Sequence, residues 1–451
     1  MASHDLTEGG VGAQLTHMTI PYFLGVSSMI LASMIETVYI GVLGARELAA
    51  YSFMFPVIMA LSSVSMGVGM GASSVIARAA GAGDQARVKR YVTHTFFLTV
   101  VVTVLLSSTV YFWLEELYAL MGAEGEALAL VVAFAQVWVM GLITFTIPMV
   151  GSTVLRALGI AKAPGYIMTT TSGMQLVVSP ILIFGLFGVP AQGLLGSAWA
   201  FILVGVLRIA AFAVLVAYEH IAIYRDVARG FMNSCREILR IALPSMLSSL
   251  IGPVSMAITL ALLAAHGESV VAGFGIVSRV EMLVMMILGA LSSSVAPFVG
   301  QNWGARKISR IKRGLFLSYG FCMVWGILCL LVLAPFGETL IRLINDEPAL
   351  VMTAGLFLLI VPVSFGPLGV GQIAGSLFVA LGKPMPPTLL SIGRTIVVYI
   401  PMAIYFDQLW GYAGIFVALL VSNLLFGLAA WLWGRSMFRY EVRKIGPLPA
   451  A

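Results

Sequence analysis

Two carboxylates, Glu36 and Glu281, lie deep within long apolar stretches of this chain, while its other acids sit in or beside polar segments. An ionised side chain at the centre of a membrane costs roughly 2.5–3.5 kcal/mol even on the lenient insertion scale, so an acid at such a position needs a chemical reason. Burial favours the neutral form of a carboxyl. A carboxyl held there can take up a proton and release it when water or a cation arrives, which is the chemistry of proton coupling. Glu36 has the richer surroundings: Ser33 precedes it by three residues and Tyr39 follows it by three. On a helix these groups share a face and offer hydrogen bonds, and Ser33 and Tyr39 are also candidate substrate contacts. Glu281 comes two residues after Arg279, a spacing that turns the two largely opposite ways. It reads either as a second protonation site or as a polar bridge between helices. Arg394, near the start of a later apolar run, is expected to snorkel to water.

Other chemistries find little support. Three cysteines (Cys235, Cys322, Cys329) make no disulfide framework, and five scattered histidines give no metal-ligand spacing. No metal and no cofactor are expected. An enzyme would need a nucleophile, base or metal cluster, and none stands out. The net charge of +6 and pI of 9.3 do not indicate a nucleic-acid partner, because 25 basic residues in 451 are dilute and gather in short loops.

The elements that would hold these acids follow from composition. The chain is 60% hydrophobic and 10% charged, with mean hydropathy +1.03, against about 45–50% apolar and 25% charged in soluble domains. Its natural partner is a lipid bilayer. A helix needs about 20 apolar residues to cross the hydrocarbon core, and twelve such runs can be counted between residues 17 and 434. Lys and Arg are retained on the cytoplasmic side. With both termini inside, 20 of the 25 basic residues fall on cytoplasmic segments. The start of the chain lacks the basic lead and small-residue cleavage site of a secretory signal and reads as a short cytosolic lead-in.

The runs repeat. At an offset of 223 residues Pro21 meets Pro244, Gly44 meets Gly267, Arg87 meets Arg310 and Gly159 meets Gly382. Further on the offset shortens by five, so that Gly193 and Gly196 meet Gly411 and Gly414. The expected fold is an all-α membrane protein, twelve transmembrane helices in two parallel six-helix lobes around a central cleft. Its parts are a cytoplasmic N-terminal segment (1–16), an N-lobe (17–217), a cytoplasmic linker (218–238), a C-lobe (239–434) and a cytoplasmic tail (435–451). An even number of spans per repeat gives both lobes the same orientation, a geometry suited to alternating access.

Four segments carry a family resemblance: SSVIARAAGAGDQARVKR (73–90), its counterpart APFVGQNWGARKISRIKR (296–313), IETVYIGVLGARELAAYS (35–52) and LRALGIAKAP (155–164). Together they resemble the multidrug and toxic compound extrusion family, with VGQNxGA the most specific piece. The Gly-Ala loops themselves read as tight helix ends with basic anchors. The resemblance covers nearly the whole chain. It implies a secondary antiporter that expels small organic, often cationic, compounds in exchange for protons or sodium. The major-facilitator pattern has a different order of Gly, Asp and Arg in its loop between spans 2 and 3. Lipid-linked oligosaccharide flippases, more distant relatives, usually carry additional helices; such a flippase or another non-drug transporter stands as the alternative reading.

In the resembled family an aspartate in the first span is read as the cation-coupling residue, and Ile35-Glu36-Thr37 stands at that place here. Where many members have Asn and then Asp before a proline in the fifth span, this chain has QLVVSP, giving Gln175, Ser179 and Pro180. One carboxylate is therefore lost. Sodium needs several oxygen ligands with enough charge to offset dehydration, whereas a proton needs one carboxyl and a path. Coupling to H+ through Glu36, assisted by Gln175 and Ser179, is the expectation, with Na+ as the alternative. Pro21 in the same span is a candidate hinge. Among 24 methionines, polarizable Met29 and Met174 are candidate substrate contacts. The whole reads as a monomeric, proton-driven multidrug exporter of the cell inner membrane.

Overall fold

A computed structural model describes residues 5–223, 227–342 and 347–444; Arg225, one of the basic residues expected on a cytoplasmic segment, and the acids Asp226, expected on a cytoplasmic segment, and Asp346, expected on an external one, lie outside them. Every regular element among the described residues is helical. In chain order they are α1 (Val11–Leu43), α2 (Ala45–Gly81), α3 (Gln85–Phe112), α4 (Leu114–Leu120), α5 (Gly125–Met140), α6 (Ile143–Ala157), α7 (Lys162–Phe184) and α8 (Leu194–Tyr218). There follow α9 (Phe231–Ala264), α10 (Glu268–Gly304), α11 (Ile308–Arg342), α12 (Pro348–Ile360), α13 (Phe365–Ala380), α14 (Met385–Ile392), α15 (Ile400–Trp410) and α16 (Tyr412–Lys444). Eleven helices or helix runs are long and apolar enough to cross a membrane, and α5 with α6, bent by 47°, make a twelfth when counted as one broken span.

The breaks have chemical causes. At the α5–α6 bend Gly141 leaves room for Ile202 of α8, whose Cδ1 would lie 2.8 Å from any added Cβ. Between α12 and α13 the 3-10 turn Val361–Ser364 contains Pro362, which has no N–H to give the preceding turn. Between α14 and α15 the chain makes a π-helical stretch, Gly393–Tyr399. Pro401 follows it, so no N–H from that position can reach the Val397 carbonyl. Pro21, by contrast, sits inside α1 with no interruption of the helix.

The repeat is written into the backbone. Gly44 and Gly267 both precede the long helices with positive φ, 152° and 106°, and Gly193 and Gly411 do so before α8 and α16 at 56° and 59°. Such values suit a residue without Cβ. The described chain groups into two compact units, one of Asp5 with Ile20–Met246 and one of Leu6–Thr19 with the chain from Leu247 onward. Both α1 and α9 are thus shared, each beginning in one unit and continuing in the other. The core of the first unit gathers Tyr118, Phe134 and Trp138 with Ile40 and Met54; the second gathers Phe274, Phe357, Phe416 and Tyr399.

The VGQNxGA segment acquires a structural meaning in the second unit. Gln301 Oε1 accepts from the Leu6 N–H at 3.0 Å, and Asn302 Nδ2 donates to the Leu6 carbonyl at 3.0 Å. Lys307 donates to the Thr7 carbonyl and hydroxyl, both at 2.9 Å, and Arg310 donates to Gln14 Oε1 at 2.8 Å. The lead-in before α1 is therefore stapled to the end of α10 and the start of α11.

Candidate functional site

Glu36 lies on α1 seven residues before the helix ends at Leu43, about 10 Å along the axis. Its position opposite α7 and α8 depends on how closely those two helices pack. Gly196 near the start of α8 lies against the end of α7: a Cβ there would stand 2.6 Å from the Leu182 carbonyl. The loop N–H groups of Gln192 and Gly193 donate to the Leu182 and Ile183 carbonyls at 3.0 and 3.1 Å, tying the two helices together. Near the other end of α7, Gly165 passes Pro21 of α1 so closely that its Cβ would stand 2.5 Å from the Pro21 carbonyl oxygen.

These approaches bring three neutral donors to one oxygen of Glu36. Ser197 Oγ of α8 donates to Glu36 Oε1 at 2.7 Å, Ser179 Oγ of α7 at 3.0 Å, and Gln175 Nε2 of α7 at 3.2 Å. Gln175 and Ser179 are one turn apart on α7 and also touch each other at 3.0 Å. All three donors are buried, while Glu36 itself is half-buried. The other oxygen, Oε2, has no hydrogen-bond partner among the described residues. A proton bound there leaves Oε1 as an acceptor, so all three bonds survive both charge states.

The residues singled out from the sequence divide into two groups. Gln175 and Ser179 meet the Glu36 carboxylate. Ser33 does not, but with Thr37 it faces the Tyr51 hydroxyl of α2, which also lies in the electrostatic reach of Glu36. Tyr39 turns to α7 one turn further on, where its hydroxyl is 3.4 Å from the Leu176 carbonyl and its ring meets Phe184 edge-on. Met174 neighbours Gln175 in sequence and is 40% exposed; Met29 is half-buried on α1, two turns before Glu36. Glu281 is half-buried on α10 of the second unit, within Coulombic reach of Arg394. Arg394 itself does not snorkel along the span axis: its Nη1 donates inward to Asn423 Oδ1 of α16 at 2.9 Å.

Two site residues escaped sequence reasoning. Ser197 supplies the shortest bond to Glu36, and its only sequence signal is its place directly after the repeat glycine Gly196. Tyr51 gave no signal, since a tyrosine in an apolar run is ordinary.

Comparison with known proteins gives a consistent answer. A Shewanella oneidensis protein described as an FAD transporter is 31% identical over 95% of each chain. A Bacillus subtilis protein described as the probable multidrug resistance protein YoeA is 26% identical over 87% of each. The crystal structure of the Vibrio cholerae MATE transporter VcmN in its bent form matches with a TM-score of 0.91 at 29% identity, over 96% of this chain and 98% of that one. The MatE family model matches residues 21–181 and again 244–405, two segments whose starts are separated by the same 223 residues as the internal repeat. With both halves matched and its helices following the fold of these transporters, the chain belongs to the MatE family of membrane transporters, not to the enzymes.

Proposed function

We propose that the chain is a secondary active exporter of small organic solutes, exchanging each for protons that Glu36 binds and releases as the two lobes alternate access. The observation that carries this reading is the Glu36 cluster: one carboxylate, three neutral donors on Oε1 and an unpartnered Oε2 among the described residues. A proton needs such an oxygen and a path to it. A sodium ion would have to be shed of water by one carboxylate and a few neutral oxygens, which favours the proton. The excess of Lys and Arg on alternate loops supports placement in the cell inner membrane with both termini cytoplasmic, where the chain acts as a monomer. One proton exchanged for a neutral solute and falling through 100 mV supplies about 2.3 kcal/mol, enough for roughly 50-fold accumulation.

The similarity to a protein described as an FAD transporter favours a second reading of the cargo: alongside organic cations, or in their place, a flavin dinucleotide. Both readings share the coupling step. The test is efflux from proteoliposomes, with a fluorescent organic cation or FAD as cargo, under a pH gradient and separately under a sodium gradient. Efflux under the pH gradient that Glu36→Gln abolishes supports the proposal. Efflux under sodium alone, or pH-driven efflux unchanged in Glu36→Gln, overturns it.

A further inference from the structure

The second unit contains a charged cluster that the coupling chemistry leaves unused. Arg394 sits in the π-helical stretch Gly393–Tyr399, nine residues past the start of α14 at Met385, about 13 Å along the span. A chain of hydrogen bonds fixes it. The Ser364 hydroxyl donates to the Val361 carbonyl at 2.7 Å, Asn423 Nδ2 donates to Ser364 Oγ at 3.0 Å, and Arg394 Nη1 donates to Asn423 Oδ1 at 2.9 Å. Ser364 and Asn423 are both buried, so the amide is oriented with its acceptor toward the guanidinium. The 3-10 turn after α12 and the π turn after α14 are thereby joined through one side chain of α16. Phe426, also on α16, has its ring centroid 5.6 Å from the guanidinium carbon.

Glu281 of α10 interacts electrostatically with Arg394 but makes no ion pair with it among the described residues. An arginine kept only to neutralise that acid would close on it as a two-pronged fork. Asn423 holds it aside instead. Of the five N–H donors of a guanidinium, one has a protein acceptor among the described residues, and the residue as a whole keeps partial exposure. A basic group in a membrane span by default marks a substrate or ion path, and π turns recur at functional sites. The planar fork of arginine matches phosphate oxygens in a way a lysine does not.

We propose that Arg394 determines specificity for solutes bearing a phosphate group, binding the phosphate oxygens through its unused N–H donors while Glu281 keeps the complex weak enough to release. This rests on the transport reading above and adds the chemical class of its cargo. Glu281 opposes the bound anion, so the two side chains should act in opposite directions.

The test uses equilibrium binding of riboflavin and of flavin mononucleotide, which differ by one phosphate, to the purified full chain in detergent, read by flavin fluorescence. The wild type should bind the phosphorylated flavin about tenfold more tightly. Arg394→Gln should erase that preference, and Arg394→Lys should keep part of it. Glu281→Gln, which preserves shape, should increase the preference severalfold and carries the test if Arg394→Gln does not fold. A wild type that binds the two flavins alike or binds neither, a preference that survives Arg394→Gln, or a preference that falls in Glu281→Gln overturns the proposal. No flux is read, so a failure of proton coupling through Glu36 leaves this outcome unaffected and is detected only in the proteoliposome experiment.

Discussion

At the same register of the repeat the first unit carries Glu36 and the second carries Thr259. Glu36 is met by Ser179, Ser197 and Gln175, three groups that can serve it charged or neutral. Thr259 is met by the Tyr399 hydroxyl at 2.6 Å and donates to its own helix at the Ser255 carbonyl. Tyr399 belongs to the aromatic core of its unit, where Phe357 and Phe416 pack edge to face at 5.2 Å. The position that is titratable in one unit is therefore a neutral packing contact in the other. The second unit has its own charge within the spans, but it is split between Glu281 and Arg394. A duplicated scaffold has kept its helix geometry and let its chemistry diverge: a lone acid in one half, which we propose serves the ion, and an acid with a base in the other, which we propose serve the cargo.

Five substitutions break or sharpen that contrast. The largest effect is expected from Glu36→Gln, which removes the carboxyl of the cluster and should reduce gradient-driven efflux by more than about a hundredfold, a loss of about 2.7 kcal/mol or more; efflux from proteoliposomes measures it. Next come the paired close approaches. Gly196→Val would press on Leu182 and Gly414→Val on Phe406 and Asp407. Each should cost about 1–3 kcal/mol as overpacking does, seen as lowered thermal unfolding midpoints in detergent. Similar costs in the two units would show that the shared geometry is structural. Ser197→Ala removes the shortest bond to Glu36 and should slow coupled efflux about tenfold, since hydrogen bonds to charged groups contribute about 1.5–3 kcal/mol. The same change leaves Ser179 and Gln175 in place, which limits the loss. The smallest effect belongs to Thr259→Val. Its neutral bond to Tyr399 contributes about 0.5–1.5 kcal/mol, so stability should fall slightly and coupled efflux should stay within about twofold of wild type.

Much of the fold is legible in the sequence because lipid imposes a simple rule on composition. Apolar runs locate the spans, and glycine pairs at a constant offset reveal the duplication. Helix ends are less legible, since hydropathy reports membrane thickness while the backbone stays helical beyond it: α1 begins at Val11, ahead of the apolar run, and α16 continues to Lys444, beyond it. Breaks such as those at Gly141 and at Val361–Ser364 hide inside continuously apolar sequence. At the site, Glu36 announces itself as a charge in an apolar run, and Gln175 with Ser179 follow from the family pattern. Ser197 stays hidden because its contact joins residues 161 positions apart and a serine in a span is unremarkable in composition. Arg394 misleads in the opposite way. Its place near the start of an apolar run suggests a side chain reaching for water, but α14 begins earlier, at Met385, and Asn423 supplies an inward acceptor.

The claim that Glu36 is the proton carrier is tested most directly by infrared difference spectroscopy on the purified protein, comparing spectra across a pH step with and without cargo. The account predicts a carboxylic-acid C=O band that appears and disappears with pH, shifts when cargo binds, and is missing from the Glu36→Gln difference spectrum. A band that persists unchanged in Glu36→Gln, or a wild type in which no such band responds to pH, would contradict it.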